Sequence, residues 1–162
     1  MPCYKPLTAY RGLSPTKNNK YKLRFKPEYN GQPSIEIACG QCIGCRLDRS
    51  RQWAIRCVHE SMLHEQNCFI TLTYDDEHLP PDQSLNKKHF QDFMKRLRYH
   101  ISPRKVRYYM CGEYGEKLNR PHYHACLFGY DFPDKEVFKI TRNGDRLYTS
   151  KMLHGIWDKQ GF

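Results

Sequence analysis

Two stretches of the chain repeat apolar residues at helical spacing, and three alternate or cluster them as strands do. Residues 45–65 contain no Pro or Gly, and Leu47, Ala54, Val58 and Met62 fall along one side of a 3.6-residue turn. The opposite side carries Arg46, Arg49, Trp53 and Arg56. Further on, Asn86 can cap a helix whose apolar positions Phe90, Phe93, Met94, Leu97 and Ile101 continue until Pro103 stops it, with Lys87, Lys88, Lys95, Arg96 and Arg98 around them. Between the two helices, the β-branched and aromatic run 68–74 predicts a strand, closed by Asp75, Asp76, Glu77 and the Pro80-Pro81 pair. Residues 106–114 and 121–128 read as strands joined by the polar turn 115–120, an antiparallel hairpin.

The flanks are less periodic. Residues 1–38 mix Pro, Gly, Asn, Lys and Tyr and read as an irregular arm with short strands at most. Residues 131–140 read as a helix, Asn143-Gly144 as a tight turn and residues 150–157 as the start of another helix, after which the chain stops at Phe162 without a terminating element. The β-α-β-β order predicts an α+β fold: an antiparallel sheet covered by helices on one face, with the other face free as the working surface.

Charge narrows the partners. Lys and Arg number 27 against 17 Asp and Glu, a net +10 in 162 residues, so the long-range field attracts anions and nucleic acid leads as a partner. A membrane surface would also attract such a chain, but no stretch approaches the roughly 20 consecutive apolar residues of a spanning helix. The first ten residues lack the apolar run of a secretory signal, so the expected location is the cytoplasm. In that reducing setting, Cys3 with Cys39, Cys42 and Cys45 predicts a metal-bearing thiolate cluster rather than disulfides. A Cys-x-x-Cys-x-x-Cys run with a fourth cysteine upstream can close a tetrahedral Zn²⁺ clip. The same spacing occurs in iron–sulfur ligation, but the following Cys-Pro is absent. Cys57, Cys68, Cys111 and Cys126 sit singly in periodic segments, as small buried hydrophobes do.

The sharpest chemistry lies on the third strand, where alternation puts His122 and His124 on one face and Tyr123, Ala125 and Leu127 on the other. Across the hairpin, Glu113 shares a face with Arg107, Tyr109 and Cys111 and can come beside the two imidazoles. Two nitrogens and one carboxylate oxygen make an open site for Mg²⁺ or Mn²⁺, with positions left for water and a phosphate oxygen. Alternation alone would also produce a solvated histidine pair. On the first helix, Arg46, Arg49 and Arg56 could pair phosphates while Trp53 stacks a base, although a core Trp53 beside a solvated charged face fits the same spacing.

The run Pro121-His122-Tyr123-His124-Ala125-Cys126-Leu127-Phe128-Gly129 resembles the second motif of rolling-circle replication initiators, the HUH endonucleases, and residues 69–74 resemble the strand that opens their fold. Residues 39–46 together with Trp53 resemble the replication proteins of gokushovirus-type microviruses, so the similarity runs over most of the chain. The resemblance implies an HUH-like domain over 46–162, incomplete at its C-terminus, preceded by an arm and Cys-rich clip over 1–45. It also implies nicking of single-stranded DNA at a phage replication origin in the host bacterial cytoplasm. There, a tyrosine would attack a DNA phosphate and stay joined to the 5′ end, and the freed 3′ hydroxyl would prime synthesis by the host replication machinery. The family's tyrosine pair followed by lysine on a later helix has no counterpart here. Tyr148-Thr149-Ser150-Lys151 matches a Tyr-x-x-Lys spacing used by some HUH enzymes and names Tyr148 as the candidate nucleophile; the other expectation is a nucleophile beyond Phe162. Two further readings stand beside this one: a non-catalytic zinc-containing nucleic-acid-binding module and an inactive, truncated initiator.

Overall fold

The computed structural model describes residues 3–157; the expected stop at Phe162 lies outside them. Two compact units part between Arg56 and Cys57. The first begins with β1 (Leu7–Pro15), β2 (Tyr21–Arg24) and β3 (Ser34–Ile37), which form an antiparallel sheet in the order β2-β1-β3. The arm is therefore more regular than its composition predicts. Its strands are mostly exposed, with only Ala9 and Gly12 buried and Tyr10 and Ile37 half-buried, so they leave no apolar period to read. Helix α1 (Ile43–Met62) follows, and the division between the units falls within it.

The second unit is built on β4 (Asn67–Thr73), α2 (Lys87–His100), β5 (Arg107–Tyr114) and β6 (Pro121–Phe128), with the strands antiparallel in the order β4-β6-β5. Each predicted strand and the second predicted helix form here. Strand alternation sends Ile70 and Leu72 of β4 and Tyr123, Ala125 and Leu127 of β6 inward. They meet Phe90, Phe93, Met94 and Leu97 of α2, which recur at helical spacing and are buried together. Asn86 caps α2 by accepting a hydrogen bond from the Lys88 amide at 3.0 Å.

Residues 131–140 contradict the predicted helix. They hold a turn and then β7 (Glu136–Ile140), which pairs antiparallel with β8 (Arg146–Thr149). Asn143-Gly144 is the turn of this hairpin, with Gly144 in the left-handed region at φ +87°. A two-stranded ribbon is consistent with Pro133 at the start of the segment and with Val137 and Ile140, whose branched side chains favour strands. Helix α3 (Lys151–Trp157) ends the described chain as expected. Its Trp157 is buried against Tyr74, Phe93 and Tyr123, and its indole N–H donates to the Thr73 carbonyl at 2.7 Å, tying the end of β4 to the core.

A histidine-carboxylate face and a thiol cluster

The outer face of the β4-β6-β5 sheet is set by the same alternation that builds the core. Register pairs His122 with Thr73 on one side and Glu113 on the other, and His124 with Thr71 and Cys111. The two imidazoles lie edge to face with centroids 4.8 Å apart. Glu113 Oε2 is 3.5 Å from His124 Nε2 and 3.9 Å from His122 Nε2. Both histidines are held from behind. His122 Nδ1–H donates to the Arg120 carbonyl at 3.1 Å, and His124 Nδ1 bonds the Thr71 hydroxyl at 2.9 Å. A carbonyl can only accept, so His122 carries a proton on Nδ1 and presents Nε2 towards Glu113, the nitrogen a metal would bind; Thr71 can orient His124 in the same way.

Two imidazoles and a carboxylate could hold a divalent ion. Neighbouring ligand atoms around a hexacoordinate Mg²⁺ lie about 3 Å apart, and the three donor atoms here all lie within 4.8 Å of one another. The face is accessible, since the Glu113 side chain is 61% exposed. An open trough of about 480 Å³ beside it is walled by Glu113, His122, Lys117 and Arg120. Arg120 is fixed there by its contacts with Asp76 and the Tyr74 carbonyl.

Two residues of this face were not singled out from sequence. Phe69 stacks on His124 with ring centroids 5.3 Å apart and 21° between planes, yet remains 65% exposed. Thr71 supplies the hydrogen bond behind His124. The signal was partial: residues 69, 71 and 73 share a face of β4, but which of them meets each histidine depends on the pairing of β4 with β6. Tyr148 lies on β8, just before α3, and is half exposed with the Lys135 ammonium 5.2 Å from its ring. With Thr71, Thr73, Ser150 and Trp157 it lines a cleft of about 210 Å³ along the edge of β4.

In the first unit, Cys3, Cys39, Cys42 and Cys45 come together with all four sulfurs within 4.8 Å of one another. The backbone amides of Cys45 and Tyr4 hold the Cys42 thiol down to about 6. Those of Cys42 and Gln41 lower Cys39. Cys45 receives a lowering backbone hydrogen bond from Gly40, but burial and the neighbouring sulfurs push it up to about 12. On α1, Arg46, Arg49, Trp53 and Arg56 are all exposed, and the Arg56 guanidinium lies 5.1 Å from the Trp53 ring centroid. Trp53 is thus not a core residue. Of the single cysteines, Cys57, Cys68 and Cys126 are partly buried, and burial pushes Cys68 up to about 12, whereas Cys111 is exposed on the histidine face. The expectation of burial fails for Cys111 because β5 is an edge strand whose outer face nothing covers among the described residues.

Residues 67–161 match the family described as replication-associated protein ORF2/G2P. The chain is 36% identical over 164 residues to replication-associated protein VP4 of Bdellovibrio phage phiMH2K, covering 97% of this chain and 50% of that protein. It is 32% identical over 173 residues to replication-associated protein ORF2 of Spiroplasma virus 4, covering 98% and 54%. A third relative, replication-associated protein ORF4 of Chlamydia phage 1, is 34% identical over 134 residues, covering 78% and 33%. The chain therefore spans about half the length of the first two relatives. No solved structure gives a significant match. Among the described residues, no helix is long and apolar enough to cross a membrane.

Proposed function

This chain belongs to the replication-associated protein ORF2/G2P family, and on that premise we propose that it carries the metal-binding face of an HUH-type nickase that opens single-stranded DNA at a phage replication origin. The observation that carries this reading is the convergence of both imidazole Nε2 atoms on the Glu113 carboxylate, with each Nδ1 engaged from behind. Glu113, His122 and His124 would hold Mg²⁺ or Mn²⁺, which when bound supplies a Lewis acid for a scissile phosphate. Around that site the chain's own groups orient the strand. Phe69, flat and exposed beside His124, offers a base a stacking platform, while Lys117 and Arg120 in the adjoining trough attract the backbone. On α1, Arg46, Arg49, Trp53 and Arg56 present a second cationic and aromatic surface for single-stranded DNA.

Tyr148 is the candidate nucleophile among the described residues. Its phenol oxygen would form a bond to phosphorus as the bond from phosphorus to the 3′ oxygen breaks. The phenolic proton ends, net, on the departing 3′ oxygen. One phosphodiester replaces another, so the bond energy is conserved in the 5′-phosphotyrosine. The 3′ hydroxyl is left as a primer for the host replication machinery, in the bacterial cytoplasm.

The test is a denaturing gel of the purified chain incubated with labelled single-stranded origin DNA and Mn²⁺. The expected result is a covalent adduct that disappears in His122→Ala/His124→Ala and in Tyr148→Phe. An adduct that survives only in Tyr148→Phe reassigns the nucleophile and keeps the metal face. DNA binding with no adduct in any variant favours a non-catalytic nucleic-acid-binding module or an inactive initiator.

A further inference from the structure

We infer that Cys3, Cys39, Cys42 and Cys45 form a tetrathiolate centre for one Zn²⁺ ion, in a unit of the chain separate from the histidine face. Tetrahedral zinc with Zn–S bonds of about 2.3 Å places its four sulfurs about 3.8 Å apart. The Cys3 and Cys42 sulfurs are 3.8 Å apart and those of Cys39 and Cys45 are 4.0 Å apart. None of the four is in a disulfide. These two pairs are already spaced as ligands of a single ion and too far apart to be bonded, and all four sulfurs lie within 4.8 Å of one another.

The surroundings suit the charge such a centre carries. Four thiolates around Zn²⁺ leave a net charge of two minus, which donors aimed at these half-buried sulfurs would stabilise. The Cys39 amide points at Cys3 Sγ at 3.3 Å, the Cys42 amide at Cys39 Sγ at 3.3 Å and the Tyr4 amide at Cys42 Sγ at 3.5 Å. The knuckle that aims them turns at Gly40, whose φ of +73° is left-handed, and a Cβ there would sit 3.4 Å from the Arg49 guanidinium. A positive side chain therefore borders the cluster. Zinc binding would displace the remaining thiol protons and close a loop from Cys3 to Cys39, holding the start of β1 against the start of α1.

The choice of zinc over a hard cation follows from the donors: four soft sulfurs and no oxygen. The histidine face has a mixed set, one carboxylate and two imidazoles with positions left open, so a closed four-sulfur shell is what separates the two sites.

Metal analysis of the full chain, purified from zinc-supplemented medium and dialysed against EDTA, should find one equivalent of zinc, lost in Cys42→Ser and retained in His122→Ala/His124→Ala. Because Cys42→Ser could fail by misfolding, the wild-type chain is also reconstituted with Co²⁺. Intense visible ligand-field bands with thiolate-to-cobalt charge transfer are expected, and they do not depend on DNA or nicking activity. Absence of both zinc and these bands would overturn the proposal, as would iron with the visible absorption of an iron–sulfur cluster, or bands lost in the histidine variant and kept in Cys42→Ser. Failure of nicking with the cobalt spectrum intact would leave the zinc centre standing and count against the nickase reading alone.

Discussion

Thr71 makes the histidine face depend on a residue that would not itself bind the metal but holds a ligand that would. Its hydroxyl fixes the His124 ring by a 2.9 Å hydrogen bond, so Thr71→Val keeps the shape of β4 and removes only that contact. Loss of such a partner behind a metal-binding histidine typically lowers metal affinity about 10- to 100-fold. A Mn²⁺ titration should show that weakening with unchanged thermal stability; equal affinity in the two proteins would mean that the ring is held by stacking on Phe69. A second residue-scale prediction concerns His89, whose Nδ1 lies 2.8 Å from the Tyr74 hydroxyl. Burial depresses its pKa below the ordinary 6.5, despite the opposing pull of Asp92. Between that depressed value and 6.5 the unfolded chain binds the proton that the folded one refuses, so stability present above 6.5 declines as pH falls through this window. Chemical denaturation of wild type and His89→Gln across the window should show a steeper decline in the wild type. Parallel curves would assign the acid sensitivity to other groups.

At the scale of elements, α2 is the lid on the inner face of the sheet, and its buried stripe stabilises the strands that present the histidines. Leu97 is fully buried, so Leu97→Ala should cost about 2–5 kcal/mol of unfolding free energy, read from denaturant midpoints, with the spread set by how far the cavity collapses. A loss well under 1 kcal/mol would show that α2 is not part of the cooperative core. This helix was legible because its face is apolar at every buried position and Asn86 marks its start. The β7–β8 hairpin was only half legible. Its Asn143-Gly144 turn was recognised, but all five residues of β7 are exposed, so burial imposed no alternation to betray the strand. For α1 the periodicity gave the helix and not its environment. Leu47, Val58 and Met62 share one side and are nonetheless exposed.

The whole molecule divides its chemistry between two units, and that division follows from the donors each brings together. The histidine face was readable because a one-residue alternation and a hairpin register suffice to align Glu113 with His122. Phe69 and Thr71 needed the order β4-β6-β5, which no local pattern specifies. The thiol cluster was readable from spacing, although the sheet β2-β1-β3 that brings Cys3 back to Cys39 was not. A net charge of +10 suits a partner made of phosphates, and under the proposed function the exposed cations of α1 and Lys117 of the 115–120 turn would meet it.

The most direct test of the nickase account uses the same labelled origin strand and asks whether the 162-residue chain cleaves it with Mn²⁺ and stops cleaving it when Glu113, His122 and His124 are replaced by alanine. The account predicts a shortened strand with a 3′ hydroxyl that a polymerase can extend, absent in the triple variant and after chelation. Equal cleavage by the triple variant would contradict it, and so would the absence of cleavage by the wild type at a metal concentration that saturates the site.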